Sequence, residues 1–178
     1  LGVVLARKGL RPVLWARSEK EAAEVTAANP KLMLPSEATA LPQLSITTSL
    51  TDALDDTDAV ILAVPSQSMR HNIRLVAPHL KKSTLVISAA KGLEIETGKR
   101  MSQVIAEELN PDLHSRICVL SGPNLSREVM RDLPAASVVA AREEAIARKA
   151  QKLLTSSNFC VYTNSDVIGV ELGGALKL

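Results

Sequence analysis

Short apolar runs alternate with amphipathic stretches along the chain. The clearest runs are DAVILAVP, STLVISAA, RICVL and AASVVAA, and each is typical of a strand buried on both faces. The stretches SQSMRHNIRLVAPHL and KRMSQVIAEELN between them repeat apolar residues at helical spacing, with Met69, Ile73 and Val76 on one face. This alternation predicts an α/β fold: a doubly wound, mainly parallel sheet with helices on both faces.

The N-terminal stretch continues the same alternation. LGVVLARKG predicts a helix that ends at Gly9, and PVLWA predicts a strand. Ser18 and Glu21 have the spacing of a capping box at the start of the next helix. Residues 29–45 hold three prolines without a clean period and predict a loop. At the other end of the chain, we expect Ser165 to cap the last helix.

Polar or small residues follow several of the predicted strands. Arg17 follows VLWA, PSQS follows ILAV, AAKG follows VIS and SGPN follows CVL. The carboxyl ends of parallel strands meet at one edge of a sheet, and α/β proteins bind ligands there. We therefore expect these turns to converge on one rim.

Composition excludes several classes of function. The 178 residues are 46% hydrophobic and 22% charged, with a formal net charge of +2. That charge is too small to indicate a nucleic-acid partner, and Trp15, Phe159 and Tyr162 are the only residues that could stack on bases. The apolar runs are too short to span a membrane. These numbers leave a phosphate-bearing small molecule as a compatible ligand.

The cysteines and histidines predict no metal site. Cys118 and Cys160 lie in apolar runs without metal-ligand spacing, so we expect two buried, reduced thiols and a cytoplasmic location. His71, His79 and His114 have no ligand spacing and no partner nucleophile, and we interpret them as ordinary helix and loop residues.

Arg17 and Lys91 are the charged residues with the most informative positions. In a dinucleotide-binding βαβ unit, an acid after the second strand binds the ribose 2′-hydroxyl, whereas an arginine suits a 2′-phosphate. Arg17 in that position favours NADP or use of both cofactors; the alternative is a solvated residue at the start of a helix. Lys91 precedes Gly92 at a strand end, where it is either a surface lysine or a ligand-binding cation.

Glycines mark two further candidate positions. Gly122 and Pro123 could serve only to form a turn. The alternative is that Gly122 lets a ligand approach the backbone closely. Gly173 and Gly174 lie in the last helical pattern, where each costs about 1 kcal/mol relative to alanine. That cost suggests close packing or close approach to a ligand near Lys177.

Taken together, these motifs resemble one family, the bacterial-type NAD(P)-dependent glycerol-3-phosphate dehydrogenases. The matching stretches are VLWAR, AVPSQSMR, KGLEIETGKRMS, SGPNLSREV and VYTNSDVIGVELGGALK. The resemblance implies a Rossmann-like fold, and hydride transfer between NAD or NADP and glycerol 3-phosphate or dihydroxyacetone phosphate, feeding glycerophospholipid synthesis. It is also compatible with a homodimer.

The resemblance also implies roles for particular residues. Lys177 would be the general acid/base, and Lys91 would contact both cofactor and substrate and polarise the carbonyl. Gly122 and Asn124 would line the substrate site. The cofactor would be contacted by Arg17 at its adenosine end and by Pro65 and Ser126 elsewhere. The family usually has Ser or Thr at position 124 and Ala at position 126, and it has Asn at position 178 in place of Leu.

The resemblance divides the chain into two parts. Residues 1–163 would be the NAD(P)-binding domain, lacking its first strand and glycine loop, and residues 164–178 would be the first helix of a C-terminal substrate domain. We therefore expect little or no turnover from the 178-residue chain alone, as a fragment of a nucleotide-binding fold. The alternative activity is that of a related two-domain reductase acting on a hydroxyacyl or sugar-acid substrate.

Overall fold

The computed structural model describes residues 1–28 and 44–176. The chain divides into two compact units, Leu1–Asp55 and Asp56–Leu178. Residues 29–43 of the predicted loop, and Lys177 with Leu178, lie outside the described residues.

The first unit contains a two-stranded parallel sheet. Strands β1 and β2 pair from Val13 with Ser45 to Trp15 with Thr47. The chain order is α1 (Gly2–Arg7), β1 (Val13–Trp15), α2 (Glu19–Ala28), β2 (Ser45–Thr47) and α3 (Leu50–Leu54). As predicted, α1 is followed by Gly9, whose φ of +80° lies in the left-handed region that favours glycine.

The second unit contains a five-stranded sheet in the order β3-β4-β5-β6-β7. Its strands and α-helices are β3 (Ala59–Leu62), α4 (Met69–Val76), β4 (Leu85–Ser88), α5 (Met101–Glu108), β5 (Ile117–Ser121), α6 (Ser126–Met130), β6 (Ala135–Ala141), α7 (Glu144–Leu154), β7 (Phe159–Asn164) and α8 (Val167–Leu176). Short 3₁₀ helices cover Ser66–Ser68, Ala77–His79 and Pro111–Arg116.

Strand β6 runs antiparallel to β5, whereas the other neighbouring pairs in this sheet are parallel. The connection between β5 and β6 holds only the five-residue helix α6. Such a short helix does not carry the chain back across the sheet, so β6 starts at the edge where β5 ends. This reversal brings the first residues of β6 beside the SGPN turn.

The predicted apolar faces form the core of the second unit. Met69 and Ile73 of α4 are fully buried, as are Val104 and Ile105 of α5. Strand β4 is buried along its whole length, which explains why its sequence is apolar without alternation. The mainly parallel α/β prediction is therefore confirmed, with its strands distributed over two sheets.

Two local predictions for the second unit were wrong. Cys118 is buried as expected, but Cys160 is exposed. Cys160 lies between buried Phe159 and buried Val161 on β7, and successive residues of a strand point to opposite faces. The last helix is capped by Asp166 rather than by Ser165: its carboxylate accepts a hydrogen bond from the Gly169 backbone N–H at 2.8 Å.

Candidate functional site at the carboxyl ends of β3, β4 and β5

Lys91 lies in the turn after β4 and reaches the turn after β5. Its half-buried ammonium group donates a hydrogen bond of 2.8 Å to the carbonyl oxygen of Gly122. Strands β4 and β5 are parallel, so both turns leave the sheet at the same edge. The structure thus brings together the two motifs, KGLE and SGP, that the sequence singles out separately. A cation held in this way can stabilise negative charge that develops on a nearby oxygen.

Gly122 is required by the protein's own packing. A Cβ atom at this position would lie 2.6 Å from Ser137 Oγ and 2.8 Å from the Ala136 carbonyl oxygen. The Ala136 oxygen belongs to the backbone of β6 and cannot move aside by rotation of a side chain. The glycine therefore lets β6 lie close to the turn. The carbonyl oxygen of the same glycine accepts the hydrogen bond from Lys91.

Asn124 bonds the same turn to β6. Its Nδ2 amide group donates to the Ala136 carbonyl oxygen at 2.9 Å and to Ser137 Oγ at 2.6 Å. Both amide N–H groups are used, so Asn124 can meet a ligand as an acceptor through Oδ1. Ser126, predicted to face a cofactor, is the exposed first residue of α6.

The turns after β3 and β4 are also joined. The Gln67 side chain donates through Nε2 to the Leu93 carbonyl oxygen at 2.7 Å and accepts from the Ile95 N–H through Oε1 at 3.0 Å. The exposed Pro65 closes its own turn, since its carbonyl oxygen accepts from the N–H and the hydroxyl group of Ser68. Pro65 and Lys91 therefore lie in two turns that Gln67 ties together.

Gly92 allows the close approach of these two turns. Its φ of +118° lies in the left-handed region, and a Cβ atom there would lie 2.9 Å from Ser66 Oγ. A side chain at position 92 would be both strained and crowded.

An ion-pair network fixes the loop that follows Lys91. Glu94 accepts from Arg70 Nε at 2.9 Å, from Arg70 Nη2 at 2.7 Å and from Thr97 Oγ1 at 2.6 Å. The Arg70 guanidinium holds the pKa of the Glu94 carboxyl at about 2, with a further contribution from the Thr97 hydroxyl. Arg70 also pairs with Glu107 and Glu108 of α5. The loop is therefore bonded to both α4 and α5.

The last helix, α8, passes close to the Lys91 turn. Gly174 is buried, and a Cβ atom at this position would clash with Ser121 Oγ and lie 3.9 Å from Lys91 Cγ. The predicted close packing at Gly174 is thus confirmed. Gly173 is exposed and has no neighbour that a Cβ atom would meet within 4 Å. Lys177 lies outside the described residues, so its meeting with Lys91 stays a prediction.

Arg17, in the first unit, is exposed and paired with Glu21. Its Nε and Nη2 atoms each lie 3.1 Å from a Glu21 carboxylate oxygen. These hydrogen bonds raise the pKa of Arg17 and lower that of Glu21. Ser18 Oγ accepts from the Glu21 N–H as predicted, but the Glu21 carboxylate accepts from the Arg17 N–H instead of completing the capping box.

Sequence reasoning missed three polar residues: Gln67 and Arg70, whose bonds are given above, and Glu171 of α8, whose carboxylate accepts hydrogen bonds from Arg100 and Ser102. Gln67 lies in the PSQS turn that follows β3, and Arg70 lies one helical turn after Ser66, so their positions near a strand terminus were the available signal. Nothing in the local pattern around Glu171 indicated a partner.

No cluster of three or more His, Cys, Asp or Glu residues able to hold a metal occurs within residues 1–28 and 44–176. In that same part of the chain, no helix has the length and apolar character needed to cross a bilayer.

Mainly parallel strands joined by helices, with small residues and a cation at their carboxyl ends, define an α/β domain with a Rossmann-like fold. A solved structure of glycerol-3-phosphate dehydrogenase from Coxiella burnetii has this fold, with a TM-score of 0.83 and 28% identity. The alignment covers 98% of this chain and 52% of that one.

Sequence comparison then identifies the family. Residues 1–147 match the family model described as the N-terminus of NAD-dependent glycerol-3-phosphate dehydrogenase, and the chain belongs to that family. It is 57% identical to a glycerol-3-phosphate dehydrogenase (NAD(P)+) of Dehalococcoides mccartyi, over 99% of this chain and 50% of the relative. A glycerol-3-phosphate dehydrogenase (NAD(P)+) of Geobacter metallireducens is 43% identical, over 99% of this chain and 53% of that relative. The chain therefore spans about half the length of these curated relatives.

Proposed function

We propose that the full-length protein containing these residues transfers a hydride between NADPH or NADH and dihydroxyacetone phosphate, reversibly forming glycerol 3-phosphate. The observation that carries the proposal is the Lys91 ammonium group held at the Gly122 carbonyl, where the KGLE and SGP turns meet. The family match supports the reaction type, since the relatives are named glycerol-3-phosphate dehydrogenase (NAD(P)+).

The residues at the rim fit the nicotinamide end of a dinucleotide. Lys91 supplies a cation, and the exposed Pro65 lies in the turn after β3. The exposed Ser126 is the first residue of α6, which follows the turn after β5. When bound, the cofactor supplies the hydride or accepts it. Arg17 would meet its adenosine end, as the position after β1 suggests.

Lys91 would donate a hydrogen bond to the carbonyl oxygen of the substrate. Negative charge grows on that oxygen as the carbonyl carbon is reduced, and a preorganised cation stabilises it. Lys177 would give the alkoxide its proton in this direction and remove a proton from the hydroxyl group in the reverse direction. Gly122 and Asn124 would line the substrate site, with Asn124 accepting a hydrogen bond from a substrate hydroxyl through Oδ1.

A substrate panel with the purified full-length protein tests the proposal. We expect NADPH or NADH oxidation with dihydroxyacetone phosphate, and no reduction of NADP⁺ or NAD⁺ with a hydroxyacyl or sugar-acid substrate. Turnover of a hydroxyacyl substrate without turnover of dihydroxyacetone phosphate would favour the alternative reductase.

Three further features of the whole protein are part of the same proposal. Residues 164–178 would begin a C-terminal substrate domain, and the protein would be cytoplasmic, which the two free cysteines support. The protein would form a homodimer, and sedimentation equilibrium of the full-length protein measures this directly.

A further inference from the structure

Glu171 of α8 has a buried carboxylate with three hydrogen-bond donors. Oε2 accepts from Arg100 Nη1 at 2.6 Å and from Ser102 Oγ at 2.7 Å, and Oε1 accepts from the Ser102 backbone N–H at 2.7 Å. The Glu171 side chain is 6% exposed and that of Arg100 is 17% exposed. A carboxylate this deeply buried is stable only because each of its oxygens is paired.

These hydrogen bonds join α8 to the first turn of α5. Ser102 is the second residue of α5, and Arg100 is its N-cap. The positive end of a helix dipole favours a carboxylate at this point, in addition to the Arg100 charge. Glu171 is therefore held at the N-terminus of α5 and cannot shift along this helix without losing its three hydrogen bonds.

The same face of α8 approaches the Lys91 turn. Gly174 follows Glu171 by three positions, which places the two residues on one side of the helix. Gly174 lies against Ser121 and close to the Lys91 side chain. Glu171 thus fixes α8 at one point while Gly174 lets the helix lie close to the rim at the next turn.

We propose that Glu171 is a positioning residue for the reaction: it holds α8 in register, with Gly174 packed against Ser121 beside the Lys91 rim. This rests on the proposed function, in which Lys177, three positions after Gly174 in the sequence, exchanges the proton with the substrate oxygen. Because proton transfer requires hydrogen-bond distance, a small displacement of the helix slows the reaction without abolishing ligand binding.

Glu171→Gln isolates this role because the amide keeps the size of the carboxylate. Its oxygen can still accept from the Ser102 N–H, but its NH₂ group then faces the obligatory donor Arg100 Nη1, whereas Ser102 Oγ can turn to accept from it. Two donors facing each other push α8 away from α5. The matched control is Glu144→Gln, which removes the carboxylate of an exposed ion pair with Arg148 on α7.

Steady-state kinetics of the full-length protein provide the first test. We expect Glu171→Gln to lower kcat by about 10- to 100-fold, with the KM for dihydroxyacetone phosphate and the Kd for NADPH changed less than about 3-fold. Arg100→Lys keeps a cation beside Glu171 and should retain kcat within about 3-fold. Glu144→Gln should match the wild type.

Hydrogen exchange of the same proteins provides the second test and does not depend on turnover. Peptides covering Val167–Leu176 should exchange faster in Glu171→Gln than in Glu144→Gln, by about 10-fold. An unchanged kcat, or a loss of kcat matched by an equal loss of NADPH affinity, would overturn the positioning role. If the wild type does not turn over dihydroxyacetone phosphate, the proposed function fails. Unchanged hydrogen exchange of α8 in Glu171→Gln would separately refute the claim that Glu171 anchors α8 to α5.

Discussion

The ammonium group of Lys91 donates a hydrogen bond of 2.8 Å to the carbonyl oxygen of Gly122, 31 positions further along the chain. This bond joins the turns after β4 and β5 at the edge where parallel strands of α/β domains bind their ligands. It gives a half-buried cation a defined position while leaving its remaining donors able to bind a substrate or cofactor.

Replacing Lys91 with methionine should affect catalysis far more than folding. Lys91→Met keeps the apolar stem and removes the charge, so we expect kcat with dihydroxyacetone phosphate to fall by about 10²- to 10³-fold in the full-length protein. Lys99→Met is the control, because Lys99 pairs with Glu107 at the surface. Equal kcat values for the two variants would contradict the role of Lys91.

Gly122→Ala should destabilise the chain by about 1–3 kcal/mol, because the new methyl group meets the Ala136 carbonyl oxygen. Urea denaturation followed by circular dichroism measures the change. Removing Ser137 Oγ, the nearest neighbour, in the double variant Gly122→Ala/Ser137→Ala should not restore stability, since the backbone oxygen remains. Full recovery in the double variant would show that Ser137 alone makes the site tight.

Two adjacent glycines of α8 should respond differently to alanine. Gly173→Ala should stabilise the chain by about 0.5–1 kcal/mol, because this exposed position gains helix propensity without a clash. Gly174→Ala should be less stable than Gly173→Ala by about 1 kcal/mol or more, because its methyl group meets Ser121 Oγ.

Ser121→Ala provides the rescue for Gly174→Ala. Without the hydroxyl group, the nearest remaining Ser121 atom to the new methyl group is Cβ, at 3.4 Å, which is ordinary contact distance. The double variant should therefore unfold at about the urea concentration of Ser121→Ala or higher. Persisting destabilisation would mean that Ser121 does not set the approach of α8.

The Arg70–Glu94 pair predicts a stability change in acid. The pKa of Glu94 is lowered from 4.5 to about 2, so its contribution to stability is present above pH 4.5 and is lost as the pH falls towards 2. The stability difference between the wild type and Glu94→Gln should therefore be largest at neutral pH and shrink across this window. Urea titrations at several pH values measure the difference. A difference that is constant from neutral pH to pH 3 would contradict the assignment.

Arg17 should affect the choice of cofactor. In the full-length protein, Arg17→Ala should raise the KM for NADPH by about 10-fold, since an arginine at this position can bind a 2′-phosphate, and should leave the KM for NADH almost unchanged. Lys20→Ala removes a neighbouring exposed cation that pairs with Glu24, and serves as the control. An equal effect of Arg17→Ala on both cofactors would contradict the prediction.

The sequence pattern predicted the secondary structure of the second unit and the edge at which the motifs meet. LVIS is buried on both faces as predicted, whereas AVIL in β3 buries only alternate residues. The short length and β-branched residues of these runs distinguish them from helices. The convergence of PSQS, AAKG and SGPN followed from the parallel order of the strands. The error at Cys160 arose because an apolar run near the end of a sheet exposes alternate residues.

Residues close together in sequence determined the order of strands and helices, the apolar faces of α4 and α5, and the family of the chain. Helix and strand periodicity and turn chemistry are local properties, so a short stretch of sequence records them. Only the tertiary structure decided that β6 reverses, that Gly122 is required by the Ala136 carbonyl, and that Glu171 bonds to Arg100 across 71 positions. A hydrogen bond or a steric limit of this kind depends on the path of the chain between its two partners, and no periodicity along the sequence records that path.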